Sequence, residues 1–467
     1  MKKIELSGLV GLMALLSGFS LAMQNSFYVI AAYAAVLVII ALTWRLYLPN
    51  AFTFVMVYHW IQVVAYIFYV NSSWGGDLNL FTQSSGAAFF YSLIGLIVMS
   101  FTFSKVAYKD LEVSIEVFEE ALDKIEPKKV LYLYLILYIV AGVLSRVAFG
   151  FGGLTQVFLN IALLKWAGFV LLGYLSFKKK EYRLFFIIAF LLDFLGGFFS
   201  FFSQFKDVFF YTAVIFMTFI SRIDFNVSLK AIAVAIVLFY VAVVWTVVKG
   251  DYRQFLNAGS GQQEVNVSQG SAFNKLSDLV SAVNKESMNE GVGAFFYRLQ
   301  YVFHFAKCID MVPANIPFQQ GAVWRQTIEF VAVPRILSPD KGTLDNSIKA
   351  TKFTGIPFLR AAKGVSFSLG YFADCYVDFG VPGMFLALAV IAFLFAKVYR
   401  FLLLKATGNI VINYAIVIAF FVQFSFFEMD GTFMFGRLFT SSIVFLVLKY
   451  TLFPRMEKFV SKQGSEG

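Results

Sequence analysis

Apolar runs of roughly 17 to 25 residues recur from one end of the chain to the other, each long enough to cross a hydrocarbon core of about 30 Å as a helix. About twelve are predicted, at residues 6–22, 27–43, 50–70, 87–104, 130–150, 154–177, 184–202, 207–221, 231–248, 368–396, 409–427 and 438–453. A backbone surrounded by lipid must satisfy its own hydrogen bonds, so the runs are read as helices. The pattern lapses once, over residues 249–367. The expected organisation is therefore a membrane bundle of about nine helices at 1–248, a large loop at 249–367, and a bundle of about three helices with a tail at 368–467.

Inside the loop, polar and apolar positions follow other rules. Asn257 to Gly270 is rich in Gly, Ser, Gln and Asn and reads as a flexible arm. From Glu290 to Asp310, Val292, Phe295, Phe296, Leu299, Val302, Phe303 and Ala306 recur at spacings of three and four, which predicts one amphipathic helix. Tyr297, Tyr301, His304 and Lys307 fall on its other face, with Arg298 at the edge. That face is either solvated or turned toward a lipid head group, where His304 would exchange a proton near neutral pH. Further on, VAVPRILSPDKG places Arg335 between Pro334 and Pro339, which stop helices and hold the chain extended.

Composition agrees with the pattern: 60% of the 467 residues are hydrophobic and only 14% charged, a balance that excludes a soluble globular domain. Lys and Arg cluster in alternate connections, at Lys2-Lys3, Arg45, Lys105 to Lys129, Lys178-Lys179-Lys180, Arg222 with Lys230, Lys397 to Lys405, and Arg455 to Lys462. Such residues are retained on the cytoplasmic side, so both termini are expected inside and the 249–367 loop outside. The net charge of +10 is then a topology signal and no nucleic-acid footprint. The Ser20-Leu21-Ala22 ending of the first run resembles a cleavage site, but a retained helix is the expectation. Cys308 and Cys375 are expected as buried free thiols, and His59 as a hydrogen-bonded core residue.

Ionisable side chains within apolar runs are costly and usually face an interior cavity. Here they are Arg146, Lys165, Asp193, Lys206, Asp207, Asp374 and Asp378, joined by Glu428, Asp430 and Arg437. Asp374 and Asp378 share one helical face. Glu428-Met429-Asp430 is a minimal carboxylate pair of a kind common by chance, so no metal is expected. The sequence offers no phosphate-binding Gly-rich loop and no histidine-rich ligand set, and no cofactor is expected.

The layout resembles the bacterial oligosaccharide repeat-unit polymerases, the Wzy-type O-antigen polymerases, and their relatives the O-antigen ligases. The resemblance rests on Ser203-Gln204-Phe205-Lys206-Asp207, on Val248-Lys249-Gly250-Asp251-Tyr252-Arg253, on VPRILSPDKG, on KGVSFSLGYFADCYVDFGVPG from Lys363 to Gly383, and on GTFMFGRLF from Gly431 to Phe439. Relatives often carry an arginine where this chain has Lys206. It implies an all-α, polytopic, glycosyltransferase C-like protein of the bacterial inner membrane, working at the outer face. Its donor and acceptor would be glycans on undecaprenyl diphosphate, with a chain-length regulator as an additional partner. Guanidinium groups grip phosphate oxygens in pairs, so Arg253, Arg298, Arg335, Lys363 and Arg437, with Lys206, are the candidate diphosphate contacts. His304, Asp374 and Glu428 are the candidate bases for an acceptor hydroxyl. Tyr371, with Tyr252 and Trp324, is a candidate sugar-stacking ring. An O-antigen ligase would share this layout. A lipid-linked oligosaccharide flippase is a third reading, although it would favour internal repeats and short loops on both sides.

Overall fold

The computed structural model describes residues 4–111, 113–198, 204–260, 265–333, 345–359 and 366–462. Among them the protein is all-helical, with no strand and only two isolated bridges, Glu5 with Arg222 and Ile125 with Ser461. In chain order the first helices are α1 (Ser7–Ser20), α2 (Ser26–Thr43), α3 (Ala51–Ser73), α4 (Ser85–Ala107), α5 (Ile115–Asp123), α6 (Pro127–Val147), α7 (Thr155–Ala162), α8 (Leu164–Lys178), α9 (Arg183–Phe198), α10 (Asp207–Phe219) and α11 (Phe225–Leu256). The loop region carries α12 (Gln269–Ser281), α13 (Lys285–Leu299), α14 (Val302–Met311), α15 (Ala322–Ala332) and α16 (Asn346–Thr354). The chain ends with α17 (Tyr371–Lys405), α18 (Ile410–Phe421), α19 (Gly431–Thr451) and α20 (Phe453–Val460).

Among the described residues, eight helical stretches are long and apolar enough to cross a membrane: α2, α3, α4, α6, α7 with α8, α11, α17 and α19. The protein is therefore membrane-embedded. Its core lies between α3, α4, α17 and α18. There Phe52 stacks on Phe103 with centroids 3.7 Å apart, and Tyr399 and Phe421 close around them edge-on. Trp166 of α8 stacks on Tyr211 of α10 at 4.1 Å.

Two sequence expectations change. The run at 368–396 is a helical hairpin and not a single span. Phe372 and Leu388 both abut Gly95, and Tyr376 and Phe385 both meet Tyr91, at 6.4 and 6.2 Å. On one straight helix residues 372 and 388 would lie about 24 Å apart. The fold-back is at Gly380 (φ 60°, ψ −160°) and Val381, just before Pro382. Only glycine adopts that conformation readily. The carbonyls that the break frees, on Val377 and Asp378, accept from the backbone N–H groups of Gln319 and Gln320, both at 2.9 Å.

The expected amphipathic helix at 290–310 is likewise two helices. Gln300 is fully buried and its side-chain oxygen accepts from Phe303 N at 3.0 Å, which starts α14 afresh. α13 runs antiparallel to α11: Gly291 lies against Val243 and Val247, and Phe295 and Phe296 against Phe239. It ends deep in the bundle, where Leu299 O accepts from the amide of Gln62, midway along α3, at 3.4 Å. The loop region is thus partly inserted between the long helices.

Three of the shorter helices shape the site. α9, α10 and α18 have 16, 13 and 12 residues, lengths of about 24, 20 and 18 Å against a hydrocarbon core of about 30 Å. Their ends meet at the level of the middle of α3: the Lys206 ammonium, just before α10, sits 4.7 Å from the ring of Phe426, just after α18. α3 and α11 continue past them. The result is a recess, floored by the ends of the short helices and walled by the long ones.

Candidate functional site

Basic side chains converge on this recess from four directions. Lys206 lies on the one-turn 3-10 helix Gln204–Lys206, whose Phe205 stacks on Phe198 at 4.3 Å and meets Trp245 of α11 edge-on at 5.2 Å. That ring contact fixes the turn against α11. Lys249 and Arg253 follow Trp245 at one-turn intervals on α11, beside Tyr252, whose hydroxyl donates to Phe198 O at 3.3 Å. Arg298 arrives in the last turn of α13. The charges of Arg298, Arg253 and Lys206 all act on Lys249, and that of Arg298 also acts on Arg253. Arg437 enters from α19, its guanidinium donating to Gln423 O at 2.9 Å, and its field is shared with Glu428 and Asp207.

Two carboxylates stand at the floor, Asp207 at the start of α10 and Glu428, both within the field of Arg437 and of Tyr58. Glu428 Oε2 accepts from Gln62 Nε2 at 2.8 Å, while Gln62 Oε1 accepts from Phe427 N at 2.9 Å, so a single amide of α3 locks the backbone and the side chain of this turn. Tyr58 and Tyr301 both lie within the electrostatic reach of Glu428. Behind the floor, Lys165 is paired with Asp193 at 2.5 Å, and Tyr134 donates to the other Asp193 oxygen at 2.8 Å. Like charges gathered among apolar helices raise the energy of the empty recess, and an anion that shares them lowers it. The arrangement can take a multiply charged anion with its apolar appendage running along the helices.

Of the residues singled out in the sequence, Lys206, Arg253, Arg298, Arg437 and Glu428 come together here. Arg335 and Lys363 lie outside the described residues. Asp374, Tyr371 and His304 are placed elsewhere. Asp374 is buried, and its Oδ2 accepts from Lys349 Nζ at 2.9 Å and from Gly431 N at 2.8 Å. A carboxylate so enclosed is out of reach of an acceptor hydroxyl. Tyr371 is buried with its hydroxyl 3.3 Å from His59 Nδ1, so its ring is core and no exposed sugar platform. The hydroxyl-bearing face of Tyr252 is buried as well.

His304 is sealed, not turned to a head group. Its ring is 4.6 Å from Phe367, 5.3 Å from Tyr301 and 5.7 Å from Phe358, and its Nδ1 has no partner among the described residues. Burial pushes its pKa down from 6.5 to about 4, so the imidazole is neutral at pH 7 but out of reach of an acceptor. His59 is a core residue as expected, with Nε2 3.1 Å from Phe424 O, and both cysteines are free and buried. Asp378 shares a face with Asp374 and caps α15, accepting from Val323 N at 3.0 Å and Trp324 N at 2.8 Å.

Sequence reasoning passed over three participants. Lys249 had a signal, its four-residue spacing from Arg253 on a helix. Gln62 is a lone amide in an apolar run, and Lys349 is one lysine in a basic loop; neither carries a local pattern.

A family model described as a domain of unknown function, DUF8712, matches residues 109–458. The chain belongs to the DUF8712 family. No curated protein and no solved structure matches it. The DUF8712 stretch begins before α5 and ends within α20, so it holds every basic residue of the recess together with Glu428. Tyr58 and Gln62, which complete the floor, come from α3 and lie before it.

Proposed function

We propose that this DUF8712 protein is a polymerase that joins undecaprenyl-diphosphate-linked oligosaccharide repeat units at the outer face of the bacterial inner membrane, with both termini cytoplasmic. The observation that carries this reading is the gathering of Lys206, Lys249, Arg253 and Arg298 in a recess among apolar helices, with Arg437 beside the carboxylates of Glu428 and Asp207. A lipid diphosphate has the matching anatomy of an apolar tail with a compact polyanionic head. In the reaction the acceptor hydroxyl oxygen attacks the anomeric carbon of the donor. The bond from that carbon to the diphosphate oxygen breaks, and its electron pair leaves with undecaprenyl diphosphate. The basic residues stabilise the charge that develops on this leaving group. Glu428, fixed by Gln62, takes the hydroxyl proton.

The test is deletion of the gene in the native host, with complementation, and display of the surface glycolipid on a gel. A ladder that collapses to core plus one repeat unit supports polymerisation. Loss of the single-repeat band as well points to a ligase or a flippase, and the side on which lipid-linked units accumulate separates those two. Complementation by Arg298→Ala at normal membrane abundance should leave the ladder collapsed; a full ladder removes Arg298 from the site.

A further inference from the structure

The carboxylate of Glu428 is only as well placed as the turn that bears it, and that turn is bound to the loop region through one ammonium group. Lys349, on α16, reaches Asp374 Oδ2 at 2.9 Å and Asp430 Oδ2 at 3.0 Å. Both carboxylates are buried, and the lysine side chain is 18% exposed. Burial works against the charge on Lys349, but the two carboxylates outweigh it and hold its pKa above the ordinary lysine value.

The two aspartates also organise backbone. Asp430 is the N-cap of α19, accepting from Phe433 N at 3.0 Å, and its own N–H donates to Ser368 Oγ at 3.2 Å. Met429 O accepts from Tyr371 N at 2.8 Å. Asp374 lies in the first turn of α17 and holds Gly431 N. Lys349 therefore ties together three separate stretches: α16, the first arm of the α17 hairpin, and the 427–431 turn. Without its positive charge, two buried carboxylates would face each other across the vacated position, and the turn that bears Glu428 would lose one of its anchors.

We propose that Lys349 is a positioning residue: through Asp430 it fixes the turn that presents Glu428 to the recess. The inference rests on Glu428 being the working carboxylate, but its test does not require the transfer reaction. Glu428→Cys is introduced into the full-length protein in nanodiscs, and its rate of modification by a maleimide is followed by mass spectrometry, which separates it from Cys308 and Cys375. Lys349→Met should raise that rate about tenfold by freeing the turn. Asp430→Asn, which keeps a neutral cap and an intact Lys349–Asp374 pair and so should fold normally, should raise it as well.

Asp374→Asn leaves Lys349 on Asp430 and should stay within about twofold of the parent rate. A control cysteine at Ser271 on α12 should react at one rate in all four backgrounds. Unchanged modification at position 428 in Asp430→Asn, or an equal rise at Ser271→Cys, overturns the proposal. If the glycolipid ladder persists on gene deletion while the labelling contrast holds, the transfer reading fails and the positioning role stands.

Discussion

Replacing Lys249 by methionine separates an anion site from a structural charge cluster. Methionine keeps the length of the side chain and its packing against α11 while removing one of the five basic residues of the recess. A hydrogen bond between a charged donor and a phosphate contributes about 1.5–3 kcal/mol net, so affinity for a diphosphate should fall about 10- to 150-fold. The unliganded protein should not suffer. Lys249 feels repulsion from Arg298, Arg253 and Lys206, and relieving it is worth from zero to about 1 kcal/mol of added stability.

The assay is titration of nanodisc-embedded protein with inorganic pyrophosphate and with undecaprenyl diphosphate at two salt concentrations, alongside a thermal melt. The expected signature is weaker binding, a shallower dependence on salt, and a melting temperature equal to or above that of the parent. Undiminished affinity would refute the assignment. A fall in melting temperature accompanying the loss of binding would show that Lys249 is part of the scaffold and not of the site.

Gly380→Ala should destabilise the protein by about 2–6 kcal/mol, because a positive-φ conformation open essentially to glycine costs about 1–3 kcal/mol and the new methyl would force a shift costing about 1–3 kcal/mol. The crowding partner is Phe318, whose ring lies 2.8 Å from where the added carbon would sit; denaturant unfolding in detergent would measure the change, and a neutral result would contradict the hairpin. His304 should make folding acid-sensitive. Its pKa is about 4 when folded against 6.5 unfolded, so the unfolded chain binds the extra proton and stability is lost as pH falls from about 6.5 toward 4, by about 3 kcal/mol in all. His304→Phe should flatten that part of the stability profile, and an unchanged profile would place the titration elsewhere.

What could be read from the sequence divides along physical lines. Apolar runs located the long helices because lipid exposure imposes a composition along the whole of each one. α2, α3, α4 and α6 all begin within a few residues of their predicted starts, and α11 begins earlier, at Phe225. Fold-backs were harder to see. The hairpin in α17 rests on the three residues Gly380, Val381 and Pro382 inside a run that remains apolar on both sides of them. The split between α13 and α14 rests on the side chain of Gln300, whose partner is set by burial and not by spacing.

The recess shows the same contrast. Arg437 stood out because charge near apolar runs is rare, and Arg253 and Arg298 because the family resemblance implied diphosphate contacts. Their convergence depends on α13 descending beside α11, which the amphipathic spacing of 290–310 did not encode. His304 and Asp374 were chemically reasonable bases, but phenylalanines more than fifty residues away in sequence seal one, and Lys349 occupies the other. Such long-range neighbours leave no mark on the local pattern.

The short helices beneath the recess have an electrical consequence. With α10 only 13 residues long, about 20 Å of protein separates the floor from one face of a hydrocarbon core of about 30 Å, so a charge on the floor sits roughly one third of the way into the membrane field measured from the open side. Moving one elementary charge through the whole field is worth about 2.3 kcal/mol per 100 mV, and through that third about 0.8 kcal/mol. On the proposed orientation, with the recess opening outward and the cell interior negative, each unit of negative charge on a bound head group would be pushed back toward the outer side. Energising the membrane would then loosen a diphosphate from its basic ring and speed its departure, coupling the release of product to the state of charge of the cell.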